Sequence, residues 1–400
     1  MNAKKMKVGF VTFGCRLNLA EALDLEAQYA AAGWEIVQMD DSCSEPPELI
    51  IVRGCSVTAK AQRDCEKKIA HLRARFPDSE IRITGCLPQR QSLPSHPRPT
   101  ADRKPSAASH HLSRAYLKVQ DGCSGKCSYC IVPAFRGAPV SIPFNDVLAR
   151  ARAFIDDGFR EIVVTGCNLC LYRDAKRGLP ELVAALARLE SPGHRIRIGS
   201  IEPGICDAAL LDAVAANTNI CRFLHLSLQS GSDRILRLMR RPYTAEQMAA
   251  FCEDAKRRLG PRFALGADII TGFPSETDAD HEATKSLLAP SFINLHIFPY
   301  SERLGTEAAT MSPAVPVAVR RARAKELEQI GAAHREIYAR TLIGKDVVVC
   351  VEKDGNGRTD EYLRCNLQGA APRRSLVCAE VKDYFPKTGA LSATIHAQKQ

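Results

Sequence analysis

No run of apolar residues in this 400-residue chain approaches the length of a membrane-spanning helix. The opening MNAKKMKVGF has no signal-peptide architecture and leads straight into a strand pattern, so a cytoplasmic protein is expected. No second C-x2-C pair at zinc-site spacing accompanies the cysteines, and no oligomerisation signal stands out. What the chain has is an ordinary soluble balance, 45% hydrophobic and 25% charged, in a length sufficient for two or three domains. Sixteen cysteines in such a protein argue for metal ligands among them rather than for a disulfide scaffold. A net charge of +10 fits a polyanionic partner such as RNA, although many soluble proteins are as basic.

Three of the cysteines, Cys123, Cys127 and Cys130, stand close together in QDGCSGKCSYCIVPAFRG, directly after the strand-like AYLKV. The spacing is C-x3-C-x2-C. Three thiolates on a glycine-bearing loop can hold three irons of a [4Fe–4S] cluster and leave the fourth without a protein ligand. S-adenosylmethionine can chelate that open iron through its amino and carboxylate groups, which is the arrangement a radical reaction needs. Zinc would ask for a fourth protein ligand, and disulfide pairing would leave one cysteine over.

Along the chain, strand and helix patterns alternate. Residues 6–14, Trp34–Val37, Glu48–Arg53 and Glu80–Thr84 read as strands, with helices over 18–32 and Thr58–Phe76. This predicts a three-layer βα domain over residues 1–86. Residues 87–113 are rich in proline, serine and basic residues and read as a linker, with His96, His110 and His111 as solvated side chains. From 114 to 340 six strands are expected: Tyr116–Val119, Glu161–Thr165, Arg195–Gly199, Phe223–Ser227, Phe263–Thr271 and Phe292–Phe298. Helices between them imply an open, partial (β/α)6 barrel, with ligand chemistry at the carboxyl ends of its strands. A charged helix over 318–340 leads to short strands and turns from 341 to 400, the pattern of a small β-barrel. The fold class is therefore α/β with a C-terminal β-barrel.

A second cysteine set occupies a repeated position. Cys15, Cys55 and Cys86 each follow a glycine at the carboxyl end of a predicted parallel strand. Parallel neighbours would bring the three ends to one sheet edge, making a second three-thiolate site with one iron again open. Ordinary small buried residues are the competing reading. Cys43, Cys65, Cys167, Cys170, Cys206, Cys221, Cys252, Cys350, Cys365 and Cys378 read mostly as buried fillers. Cys167 and Cys170 form a lone C-x2-C in GCNLC beside the expected site, with a metal or redox role as the lesser alternative.

Taken together, FGCRLNLAEA, GCSVTAKA, ITGCLPQ and KVQDGCSGKCSYCIVPAFRG resemble the cysteine segments of the radical S-adenosylmethionine methylthiotransferases. The end of the chain, from TLIGKDVVVCVE, resembles the RNA-binding TRAM barrel of that family. RIRIGSIEP, LHLSLQSGSDRILRLMRRPY and HIFPYSERLGT are most similar to its threonylcarbamoyladenosine branch. Where the family has Asn-Thr before its second cysteine, this chain has Arg53-Gly54.

The resemblance implies two [4Fe–4S] clusters and S-adenosylmethionine. Cys123, Cys127 and Cys130 would hold the catalytic cluster. Cys15, Cys55 and Cys86 would hold the cluster that carries the sulfur to be inserted. It also implies cofactor contacts from Gly166, Ser200, Glu202, Gln229, Arg241 and Asp268 at strand ends, with Tyr129 near the adenine; caps and salt bridges are the structural alternative. The implied reaction is methylthiolation at C2 of N6-threonylcarbamoyladenosine-37 in the anticodon stem-loop of tRNA, with an electron donor such as flavodoxin or ferredoxin. Isopentenyladenosine-37, an aspartate of a ribosomal protein, or a non-catalytic RNA-binding iron–sulfur role are the alternatives. Arg320, Arg321, Arg323, Lys325, Arg373 and Arg374 are candidates for phosphate contacts.

Overall fold

Three sequence-contiguous blocks build the molecule in the computed structural model, which describes residues 5–39, 43, 45–87, 112–191, 193–205 and 208–396. The expected linker histidines lie outside the described residues. At the linker's edges, Leu87 is buried, while Leu112 and Ser113 are held by Arg374 and Arg373.

The first block comprises β1 (Lys7–Thr12), α1 (Arg16–Ala31), β2 (Glu35–Gln38), β3 (Leu49–Gly54), α2 (Ala59–Arg75) and β4 (Glu80–Gly85). Its sheet is parallel throughout, in the order β2-β1-β3-β4. β3 is central and buried on both faces, as its continuous LIIV run requires. Thr58 starts α2 by accepting a bond from the Ala61 amide at 3.1 Å.

The second block runs through β5 (Ala115–Lys118), β6 (Gln120–Asp121), α3 (Val132–Arg136), β7 (Val140–Ser141), α4 (Phe144–Asp156), β8 (Glu161–Thr165), β9 (Arg173–Asp174), β10 (Arg177–Gly178) and α5 (Leu179–Ala187). It continues with β11 (Arg195–Ile198), β12 (Ser200–Ile201), α6 (Ala208–Ala216), β13 (Phe223–Gln229), α7 (Asp233–Leu238), α8 (Ala245–Leu259), β14 (Ala264–Thr271), α9 (Asp278–Leu287), β15 (Phe292–Pro299) and α10 (Val317–Arg340). Two parallel sheets, β11-β8-β5 and β12-β13-β14-β15, meet where the third expected strand breaks at Gly199. A Cβ at Gly199 would lie 2.6 Å from the Val164 carbonyl oxygen, so the chain there passes too close to β8 for a side chain. The result is the open barrel expected from the sequence. Its main core packs the outward residues of the strands against the helices. α3 and α7 are elements that periodicity did not reveal, because five or six residues are too few to display a 3.6-residue repeat.

The third block is a closed five-stranded barrel of β16 (Asp346–Val351), β17 (Asn356–Thr359), β18 (Arg364–Gln368), β19 (Leu376–Phe385) and β20 (Ala390–Ile395), in the order β16-β17-β18-β20-β19. It packs onto the second block through a shared core of Phe223, Ala264 and Ile293 with Val347, Val349 and Leu363. Helix α1 of the first block lies against β5 of the second. No helix among the described residues is long and apolar enough to cross a membrane.

Candidate active site

The loop bearing Cys123, Cys127 and Cys130 leaves the carboxyl end of the first barrel strand. Gln120 is wholly buried and donates from Nε2 to the carbonyls of Asp121 and Gly122, both at 2.7 Å. The Cys123 amide bonds the Gly137 carbonyl at 3.0 Å and closes the loop. Gly125 lies between two sulfurs: its amide donates to Cys123 Sγ at 3.2 Å, and a Cβ there would stand 3.7 Å from Cys127 Sγ. Ser128 pins the other end, with its hydroxyl on the Leu238 carbonyl at 2.7 Å and its amide on that of Met239. All three cysteines are free and half-buried. Burial pushes the Cys130 thiol up to about 12, with Cys127 and Cys123 adding to the effect. A metal cation is the charge that would draw those protons off, so the donor set suits a thiolate-ligated cluster.

A chain of polar side chains runs from this loop across the strand ends. Arg241 donates to Cys127 Sγ at 3.1 Å, pairs with Glu202 at 2.7 Å and bonds the Tyr243 hydroxyl at 2.7 Å. Glu202 also accepts from the Asn168 side chain at 2.5 Å, and the Asn168 amide reaches back to Gln120 at 2.9 Å. Gly166 sits beside Gln120, where a Cβ would lie 3.1 Å from its Oε1. Tyr129 packs edge-on to Phe273 with ring centroids 6.4 Å apart. Gln229 ends β13 in a left-handed conformation (φ 63°), and Ser200 is exposed at the start of β12. Gly166, Glu202 and Arg241 are thus joined to the cysteine loop. Asp268 is engaged elsewhere, by His225 and His296.

The structure gathers Cys15, Cys55 and Cys86 at one edge of the first sheet. β1, β3 and β4 are parallel neighbours, and their carboxyl ends deliver the three residues side by side. Gly14 adopts φ 93°, and a Cβ there would stand 2.6 Å from Cys55 Cβ, so the approach of the two loops needs glycine. Asn18 ties the loops together, donating to the Phe13 and Gly54 carbonyls, each at 2.9 Å. Cys15 caps α1 but accepts no bond from it, which leaves its sulfur for another ligand. Burial pushes the Cys55 thiol up to about 11, with Cys15 and Cys86 contributing.

Arg136, which ends the cysteine-loop segment, spans the two sets. Its Nε lies 3.1 Å from Cys86 Sγ, and its other nitrogens bond Asn18, Glu21 and Asp121. Glu21 also pairs with Lys118 at 2.5 Å and with Arg53. Arg53, the departure from the family's Asn-Thr, is therefore a buried partner of Glu21. Cys167 interacts with Arg136, Asp121, Cys123 and Cys86 and so lies between the two sets. Cys170 is disulfide-bonded while Cys167 is free, so GCNLC is not a two-thiolate ligand pair. Cys206 lies outside the described residues. Cys378 is exposed, whereas Cys43, Cys65, Cys221, Cys252, Cys350 and Cys365 are buried as expected. Sequence reasoning missed Asn18, Glu21, Lys118 and Arg136. Their common signal was a set of polar and charged residues, one amide and three charged side chains, flanking the cysteine segments.

The six basic residues expected on an RNA-facing surface divide. Arg320 is buried against the Val315 and Tyr300 carbonyls and Glu302, and Arg323 against Glu276 and Asp278. Both are structural, because α10 turns them inward. Arg373 and Arg374 brace residues 112–113. Arg321 and Lys325 are exposed.

Two family models match the sequence: Radical SAM superfamily over residues 117–288, and Uncharacterized protein family UPF0004 over residues 7–99. A Rickettsia prowazekii relative, "Threonylcarbamoyladenosine tRNA methylthiotransferase MtaB", is 32% identical across 89% of this chain and 90% of its own length. A Cereibacter sphaeroides relative, "tRNA-2-methylthio-N(6)-dimethylallyladenosine synthase", is 31% identical across 87% and 88%. Among solved structures, the radical S-adenosylmethionine methyltransferase TsrM of Kitasatospora setae aligns with TM-score 0.55 over 76% of this chain and 75% of its own, at 14% identity, a likeness of fold. With relatives of this identity spanning nearly its whole length, the chain belongs to the radical S-adenosylmethionine methylthiotransferase family.

Proposed function

We propose that this protein methylthiolates C2 of N6-threonylcarbamoyladenosine at position 37 of tRNA. The observation that carries the reading is the pair of cysteine triplets, each gathered at strand ends, with Arg136 spanning them. Cys123, Cys127 and Cys130 would hold one [4Fe–4S] cluster, the one the family implies together with S-adenosylmethionine. Cys15, Cys55 and Cys86 would hold a second. When bound, the catalytic cluster and S-adenosylmethionine supply a primary carbon radical able to act on an unactivated C–H bond, which no side-chain base can do.

The chain's own residues do the placing. Arg241, set against Cys127 and Glu202, would offer its guanidinium to the carboxylate of S-adenosylmethionine. Asn168 orients Glu202, and Gly166 keeps the neighbouring backbone open. Arg136 holds the first block against the second through Glu21 and Asn18. The C-terminal barrel, with Arg321 and Lys325 on α10, would meet the RNA backbone. Electrons would come from a small donor such as flavodoxin or ferredoxin, in the cytoplasm.

The relative named for threonylcarbamoyladenosine supports this substrate. The relative named for dimethylallyladenosine keeps isopentenyl-tRNA as the competing one. Reconstituted enzyme, dithionite and S-adenosylmethionine incubated with each tRNA, followed by mass spectrometry of the nucleosides, decides between them. Product on threonylcarbamoyl-tRNA is expected. Product on isopentenyl-tRNA alone would reassign the substrate.

A further inference from the structure

The open barrel carries a polar set that the cofactor chain does not use. In β13, Leu224 and Leu226 face the helices, so Phe223 and His225, which precede the bulge after Leu226, face the lumen. In β14 the same alternation turns Gly266, Asp268 and Ile270 inward, and in β15 His296. Asp268 Oδ1 accepts from His225 Nε2 at 2.9 Å and from His296 Nδ1 at 3.3 Å, and the two imidazole centroids are 4.6 Å apart. Gly266 makes the room: a Cβ there would stand 2.4 Å from His225 Nδ1. Ile270, the next inward residue of β14, packs in the cluster that includes Tyr129. The His–Asp–His set is therefore one lumen layer beneath the cysteine loop and Arg241.

Below this layer an aromatic ladder leads to a basic floor. His225 lies 6.2 Å from Phe223, and Phe223 stacks on Tyr362 at 5.3 Å. The guanidiniums of Arg16, Arg114, Arg197 and Arg358 surround the Tyr362 ring, all within 5.8 Å of its centroid. Arg114 pairs with Glu161 and Glu352, and Arg197 shares Glu161 with it. Arg16 donates to the Tyr362 hydroxyl at 2.7 Å and pairs with no carboxylate among the described residues. Arg358 Nε is buried without a hydrogen-bond partner.

We propose that this lumen is the subsite for a polar, acidic substituent on the target adenosine. His296, held by the Asp268 carboxylate that also fixes His225, bonds the substituent's amide or hydroxyl group, and Arg16 takes its carboxylate. The inference rests on the tRNA reading above and deepens it to the residues that choose the substrate. His296 is suited to the role because its Nδ1 is committed to Asp268 while its Nε2 has no partner among the described residues. A threonylcarbamoyl group satisfies such a lumen. A prenyl group would strip water from the imidazoles and the guanidinium and return no bond, which is the strongest kind of discrimination a pocket makes.

The test uses the reconstituted holoenzyme with threonylcarbamoyl-tRNA and isopentenyl-tRNA. His296→Leu is expected to raise KM for threonylcarbamoyl-tRNA by about tenfold or more, the loss of one hydrogen bond to a charged or strongly polar group, with a smaller fall in kcat. His296→Gln, which keeps a donor, restores most of it. Iron per chain serves as the folding control. If KM stays within twofold while the wild type modifies threonylcarbamoyl-tRNA, the subsite is overturned and the function stands. If the wild type modifies only isopentenyl-tRNA, both fall. Should the variant lose iron, equilibrium dialysis of the wild type decides. Free N6-threonylcarbamoyladenosine is expected to bind at least about tenfold tighter than N6-isopentenyladenosine, and equal binding overturns the subsite.

Discussion

The Nε of Arg136 lies 3.1 Å from the sulfur of Cys86. One guanidinium thus touches the first cysteine set while its Nη1 bonds Asp121, two residues before Cys123, at 2.8 Å. Removing it takes away the positive charge beside Cys86 and the strap between blocks. Arg136→Ala is expected to lower reconstituted iron from about eight per chain, two four-iron sets, to about four. Arg136→Lys should recover little, since an ammonium lacks the fork needed for partners on several sides. Full iron in the alanine variant, by colorimetric assay and Mössbauer spectroscopy, would dismiss the strap.

The two triplets should fail differently. Cys127→Ala removes a ligand of the set beside Arg241, and formation of 5′-deoxyadenosine is expected to cease. Cys55→Ala leaves that set whole, so the cleavage product should still form while methylthio-nucleoside disappears. Chromatography of both products from one reaction separates the roles. Equal loss of both in the two variants would contradict the division.

Glu26 on α1 is buried, and one of its carboxylate oxygens has no hydrogen-bond partner. Burial pushes its pKa from 4.5 up to about 7. In the folded state it keeps a proton that the unfolded chain releases above about pH 4.5. Stability therefore falls as pH rises from 4.5 to 7 and levels off beyond. The full penalty is of order 3 kcal/mol. Glu26→Gln should remove it, raising the thermal midpoint at pH 8 and leaving it nearly unchanged at pH 5. An equal shift at both values would refute the assignment.

Much of this site is legible in the sequence, and the reason is local. A ligand triplet within eight residues is read directly, and Cys15, Cys55 and Cys86 follow because parallel strands carry their carboxyl ends to one edge. What stayed hidden depends on register and on contacts between blocks. The imidazoles of LHLSLQ and HIF meet at Asp268 only because β13, β14 and β15 align at that register. The pairing of Glu21 with Arg53, Lys118 and Arg136 joins residues up to 115 positions apart, and no periodicity encodes it. Arg320 and Arg323 misled for a related reason: a basic run on a helix says nothing about which members turn inward.

Arg241 is positioned by Glu202 and Tyr243 and touches Cys127. Arg241→Ala should weaken S-adenosylmethionine binding by about 10- to 100-fold, the loss of charge-assisted bonds. Glu202→Gln should weaken it less, because the arginine keeps Tyr243 and the Ser227 carbonyl. Equilibrium binding to holoenzyme measures both, and an unchanged constant for Arg241→Ala would remove it from the cofactor site.

On α10, neighbouring arginines should behave oppositely. Arg321 and Lys325 are exposed, so replacing both with alanine should leave the thermal midpoint in place. If they meet RNA phosphates, the slope of log affinity against log salt should become shallower by about 0.7 for each phosphate no longer neutralised. Arg323 is buried and bonded to Glu276 at 2.6 Å. Its removal leaves a buried carboxylate unpaired, and Arg323→Ala should cost about 3–5 kcal/mol of stability. Its effect on tRNA binding should appear only through the unfolded fraction. A midpoint unchanged in Arg323→Ala, or a salt slope unchanged in the double variant, would show that the inward and outward faces of this helix have been misassigned.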